Sequence, residues 1–142
     1  MKLRDKLWVN IFISLILVYS LVVCYWLFYP YCPLVESPIK IMNSDKKVPQ
    51  NGMLVYKIKY DKKMDIHGIL TRKLINDFKI EYSDVITTAP IGPDEDQINL
   101  PFPDYAPPGK YNLWWSVSYK VNPIRSVHVC VMSEEFEVTK QN

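Results

Sequence analysis

From Leu7 to Val35 the chain carries no charged residue, and Trp8 to Tyr29 reads almost entirely Val, Ile, Leu, Phe, Tyr and Trp. Twenty-two helical residues at about 1.5 Å each span about 33 Å, which matches the hydrocarbon core of a bilayer. The stretch predicts a single transmembrane helix over 8–29, with lipid as its partner. Trp8 at one end and Tyr25, Trp26, Tyr29 and Tyr31 at the other supply the amphipathic rings that favour the headgroup layer. Pro30 and Pro33 then stop the helix. A cleavable signal would have a shorter apolar region and a small-residue cleavage site, whereas this one is long and ends in bulky aromatics.

Val23 stands where a lipoprotein signal takes a small residue before its cysteine, and the residues after Cys24 are apolar. Cys24 therefore reads as a lipid-facing side chain rather than a lipidation site. Lys2, Arg4 and Lys6 precede the helix, and the excess of basic residues on that side assigns 1–7 to the cytoplasm and the rest to the periplasm or the cell exterior. Asn10 and Ser14 lie four apart on one helix face, where they can bond to a partner helix or to their own backbone.

Seventeen Lys and Arg against fifteen Asp and Glu leave a net charge of +2, too small an excess for a nucleic-acid binder. Residues 30–38, with three prolines, read as a stalk, and 39–142 as one β-domain. Leu54, Tyr56, Ile58 and Tyr60 alternate with Lys57 and Lys59, the period-two pattern of a half-buried strand after the Asn51-Gly52 turn. Residues 69–75, 78–82 and 85–88 read as further strands, 89–96 as a Pro-, Gly- and acid-rich loop, and 97–100 as a short strand. The strongest signal is Tyr111–Val121, in which Tyr111, Leu113, Trp115, Val117, Tyr119 and Val121 share one face. An Asn122–Arg125 turn, a Val127/Val129/Val131 strand and a last strand over 136–139 follow. Short strands separated by turns predict an all-β fold: an immunoglobulin-like antiparallel β-sandwich preceded by a single transmembrane α-helix.

Chemistry is sparse. His67 and His128 are the two histidines, 61 positions apart, and no Cys or His spacing suggests a metal site. Asp94-Glu95-Asp96 reads as a solvated loop tip. No nucleophile–base pairing and no phosphate-binding glycine loop is present, so neither catalysis nor a cofactor is expected. Cys32 and Cys130 leave three readings open: a bridge between them, a Cys32–Cys32 link between two chains, or free thiols. Tyr105, Trp114 and Arg125 are the candidate interaction surface, because aromatic and arginine side chains anchor interfaces. Trp114 alternates with Trp115 and so points away from the core, either exposed or covered by the proline-rich 101–108 segment.

The run Pro107-Pro108-Gly109-Lys110-Tyr111, continued by Tyr119 to Val127 and Phe136-Glu137-Val138, resembles small membrane proteins encoded by tailed bacteriophages. Those combine one N-terminal membrane helix, aromatic at its outer end, with one β-sandwich. The resemblance implies a phage origin and a place in the host envelope, and it carries over no activity and no site residue. The function expected is a non-catalytic binding module for an envelope or phage protein. A lysis or superinfection-exclusion factor and a purely structural membrane protein are the alternatives.

Overall fold

The computed structural model describes residues 3–140, so the expectation for Lys2 lies outside the described residues. Helix α1 runs Leu3–Phe28, and its Lys6–Phe28 segment, with mean hydropathy 2.5, is long and apolar enough to cross a membrane. No residue of its most apolar 18-residue window is buried, and Val23 and Trp26 near its end are half-buried. The tail from Leu3 onward is thus helical and continuous with the apolar segment.

Among the described residues eleven strands follow: β1 (Leu34–Glu36), β2 (Lys40–Ile41), β3 (Lys47–Pro49), β4 (Met53–Lys62), β5 (Gly68–Ile75), β6 (Lys79–Glu81), β7 (Val85–Ile86), β8 (Gly92–Pro101), β9 (Gly109–Asn122), β10 (Arg125–Met132) and β11 (Phe136–Thr139). They form two sheets. In the first, β4 is central, with β1 and β2 along one edge and β8 along the other. In the second, β9 is central between β5 and the β10/β11 pair; β6 and β7 extend β5, and β3 adds to β11 in parallel. Leu54, Tyr56 and Ile58 from one sheet and Leu74, Leu113, Val117 and Tyr119 from the other are buried in a single core, as the period-two pattern requires.

Two segments depart from the sequence reading. Residues 34–36, placed in the stalk, pair with β4 and bury Leu34, because a β4 strand of ten residues offers an edge long enough for both β1 and β2. The segment read as a loop over 89–96 becomes strand from Gly92, which takes φ +105, a value only glycine adopts freely. The acids fit there because β8 pairs with a lysine-bearing strand: Glu95 forms ion pairs with Lys57 and, at 3.3 Å, with Lys59.

Gly68 allows a close approach of neighbouring strands within the second sheet. A Cβ at this position would lie 2.5 Å from Val117 Cγ1 and 2.7 Å from the Tyr119 ring. Gly68→Val is therefore expected to lower stability by about 1–3 kcal/mol through overpacking, read as a shifted denaturation midpoint of the full chain in detergent. An unchanged midpoint would mean the sheet yields at that point.

Candidate functional site

The inward faces of the sheets are not wholly apolar. In β8 the residues that share the inward face of β4 are Asp94, Asp96, Ile98 and Leu100, opposite Tyr60, Ile58, Tyr56 and Leu54 in register. In β5 the corresponding row is Gly68, Leu70, Arg72 and Leu74, opposite Tyr119, Val117, Trp115 and Leu113. The Arg72 guanidinium thus faces the space between the sheets beside Tyr56 and Tyr82, and two carboxylates face it further along, on the side bounded by β7 and β8. There the sheets leave a cleft of about 340 Å³, lined by residues of both.

Within this cleft the Tyr60 hydroxyl shares its single proton between Asp96, at 3.0 Å, and Asp94, at 3.3 Å. Burial, reinforced by the Asp96 and Asp94 carboxylates, pushes the Tyr60 phenol well above its ordinary range, so it stays a neutral donor at any physiological pH. Among the described residues no basic side chain forms an ion pair with Asp94 or Asp96. The two cations nearby are otherwise engaged. Lys62, almost fully buried, donates to the Ala89 carbonyl at 2.8 Å. Arg72 lies 6.0 Å from the Tyr82 ring centroid and faces the Tyr56 phenol, whose pKa burial raises against the opposing pull of that guanidinium. Neither Lys62 nor Arg72 lines the cleft; Asp94 and Asp96 supply its charge. Trp115, also in the lining, is only 5% exposed, and its indole N–H has no acceptor.

The structure disperses the residues singled out in the sequence. Tyr105 is 73% exposed in the turn after Phe102. Trp114 faces away from the core, and the Lys73 ammonium lies 5.2 Å from its ring centroid, held in turn by Glu81 at 2.8 Å. Arg125 turns back to the end of α1. Its Nη1 donates to the carbonyls of Leu27 at 3.0 Å and Tyr29 at 2.7 Å, and its guanidinium sits 6.0 Å from the Tyr31 ring. Asn122, at the other side of the same turn, donates to the Trp26 carbonyl at 2.9 Å. Helix ends leave carbonyls unpaired and favour positive charge, and the β9–β10 hairpin supplies both needs. Trp114 lies eight positions from Asn122 along β9, about 26 Å away, so Trp114 and Arg125 do not form one surface.

Cys32 and Cys130 are free and exposed. Cys130 lies five positions along β10 from the helix-bound Arg125, about 17 Å from that end, and its thiol contacts the Ser116 hydroxyl at 3.2 Å rather than packing in the core. No group of three or more potential metal ligands occurs among the described residues.

Comparison with known proteins adds little. No protein-family model matches the chain, and no curated protein matches its sequence. Among solved structures the chain is similar to a family 123 glycoside hydrolase from Clostridium perfringens, with 14% identity and a TM-score of 0.42 over 78% of this chain. It spans 28% of that structure's length.

The cleft was missed because its charged residues sit where an apolar row was sought. The alternation of Asp94, Asp96, Ile98 and Leu100 would have revealed a strand with an acidic inner end. No sequence signal joins Asn122 and Arg125 to the helix end, since 96 to 98 positions separate the partners.

Proposed function

We propose that this chain is a single-pass membrane protein whose immunoglobulin-like sandwich serves as a non-catalytic binding module, phage-encoded and working on the outer side of the host inner membrane. The observation that carries it is the joint between the β9–β10 hairpin and the end of α1. A domain tied to its membrane helix by three side-chain hydrogen bonds presents fixed surfaces at a fixed height, which suits recognition of a neighbour at the bilayer.

Strand order supports the immunoglobulin-like reading. Two adjacent pairs, β4 with β8 in one sheet and β5 with β9 and β10 in the other, follow the B–E and C–F–G pairings of such domains. The parallel β3–β11 pair corresponds to an A strand crossing to the second sheet. Tyr111, early in β9, donates its hydroxyl to the Pro107 carbonyl at 2.7 Å, as a tyrosine corner does. The inter-sheet disulfide of antibody domains has no counterpart here. The phage origin rests on the resemblance of the C-terminal third.

The test is site-specific photocrosslinking in intact bacteria that express the full chain, with the photoreactive residue at Tyr105 or Ile86. A discrete adduct from either position, together with labelling of Cys130 by a thiol reagent that crosses only the outer membrane, is expected. Absence of any adduct, or Cys130 labelling that requires rupture of the inner membrane, would overturn the reading. Changed lysis timing on expression alone would instead favour a lysis factor.

A further inference from the structure

We propose that the cleft between β7 and β8 receives a partner polypeptide through an apolar side chain that enters it, with an adjacent lysine or arginine meeting Asp94 and Asp96 at its mouth. The inference rests on the binding-module reading and names what that module recognises.

Three independent features lead to it. The first is the shape of the opening. β8 pairs with β4 along one edge only, and the two-residue β7 covers little of the opposite sheet, so the interior stays open on this side. The volume of about 340 Å³ falls at the low end of the range for ligand pockets, about 300–1,000 Å³.

The second feature is charge. Asp94 and Asp96 are the charged residues of the lining, both are exposed, and their polar side-chain partner is the Tyr60 hydroxyl. By contrast, Glu95 on the outer face of the same strand is satisfied by two lysines. Two carboxylates without a cation, set at the mouth of an apolar cleft, select a cation carried beside an apolar group.

The third is Trp115. Its side chain lines the cleft while its indole N–H is closed off and lacks an acceptor; a buried donor left unpaired costs about 1–3 kcal/mol, so a carbonyl oxygen admitted by a small turn of the ring would be stabilised there. A peptide supplies all three groups at once: an apolar side chain for the space beside Ile58, Leu70 and Val117, a backbone carbonyl, and a basic neighbour. Exposed Ile86 and Ile91 extend the apolar rim over which such a segment would lie.

The experiment uses the full chain in detergent micelles or nanodiscs and follows the indole 15N–1H resonance of Trp115, assigned with Trp115→Phe. The probes are N-acetyl-leucyl-lysine amide, its norleucine analogue without the charge, and N-acetyl-glycyl-lysine amide without the apolar group. A saturable shift with the first, at about 1 mM or below, is expected. Both other probes should bind about three- to tenfold more weakly, and Asp94→Asn/Asp96→Asn should erase the preference for the charged probe.

Equal binding of the norleucine and lysine probes, or no shift of the Trp115 indole, would overturn the proposal without reliance on any variant's folding. A cellular crosslinking adduct that survives Asp94→Asn/Asp96→Asn would overturn the cleft assignment and leave the binding module standing. Charge-selective peptide binding with no cellular adduct would do the reverse.

Discussion

Tyr111→Ala is expected to cost about 3–5 kcal/mol, a large part of the about 5–15 kcal/mol that holds a domain of this size together. The ring is completely buried, edge-on to Phe102 at 5.4 Å between centroids and stacked with Phe136 at 6.2 Å, so truncation opens a cavity that three elements share. Its hydroxyl fastens the chain leading into β9 by donating to Pro107. Tyr111→Phe keeps the ring and loses the hydroxyl's bonds to the Pro107 carbonyl and the Asn76 side chain, so about 1–2 kcal/mol is expected from it. The measurement is thermal unfolding of the full chain in detergent, followed by near-ultraviolet circular dichroism. A fall of about 15 °C or more for the alanine variant, and a few degrees for phenylalanine, would match the packing argument. Similar small shifts for both would mean that the aromatic cluster relaxes around the vacancy and that the corner hydrogen bond carries the effect.

How far the fold is legible from the residues depends on what each strand faces. β4 and β9 bury one side fully, so alternation of Leu54, Tyr56, Ile58 and Tyr60, or of Tyr111 through Tyr119, declares both the strand and its inner face. β5 is less plain, since Arg72 interrupts its inner row. The first half of β8 is not legible as strand, because the inner face there lies at the open mouth of the cleft and carries exposed acids that a core position would not tolerate. The long apolar helix and the turn positions follow from local composition, and Asn51, with φ 62, takes the left-handed conformation that the Asn-Gly turn demands. What no local pattern holds is the long-range pairing: Arg125 stands out as an exposed-loop arginine until the hairpin is seen to return to the helix end.

Asn122→Ala/Arg125→Ala is expected to free the sandwich from its helix while leaving the sandwich folded. The joint consists of one amide and one guanidinium group that bond to three backbone carbonyls, at Trp26, Leu27 and Tyr29. Elsewhere the connection is the short run from Tyr29 to Pro33, where the chain makes a few local contacts such as the tilted Tyr25–Tyr29 and Tyr29–Tyr31 ring pairs. Hydrogen bonds from a charged donor contribute about 1.5–3 kcal/mol in protected settings and less at a wet surface. Loss of all three therefore shifts the balance between a docked and a swinging domain by a factor of ten or more, with the β-core untouched. The native thiols offer the probe. With Cys32 replaced by serine, spin labels on Cys24 in the helix and Cys130 in β10 report one distance across the joint. A narrow distribution in the parent chain and a broad one in the double variant, at an unchanged unfolding midpoint, is the expected pair of results. Equal widths would mean that the Tyr29–Pro33 segment alone fixes the angle, and the arginine would then be available at the membrane surface for a partner, as its sequence context first suggested.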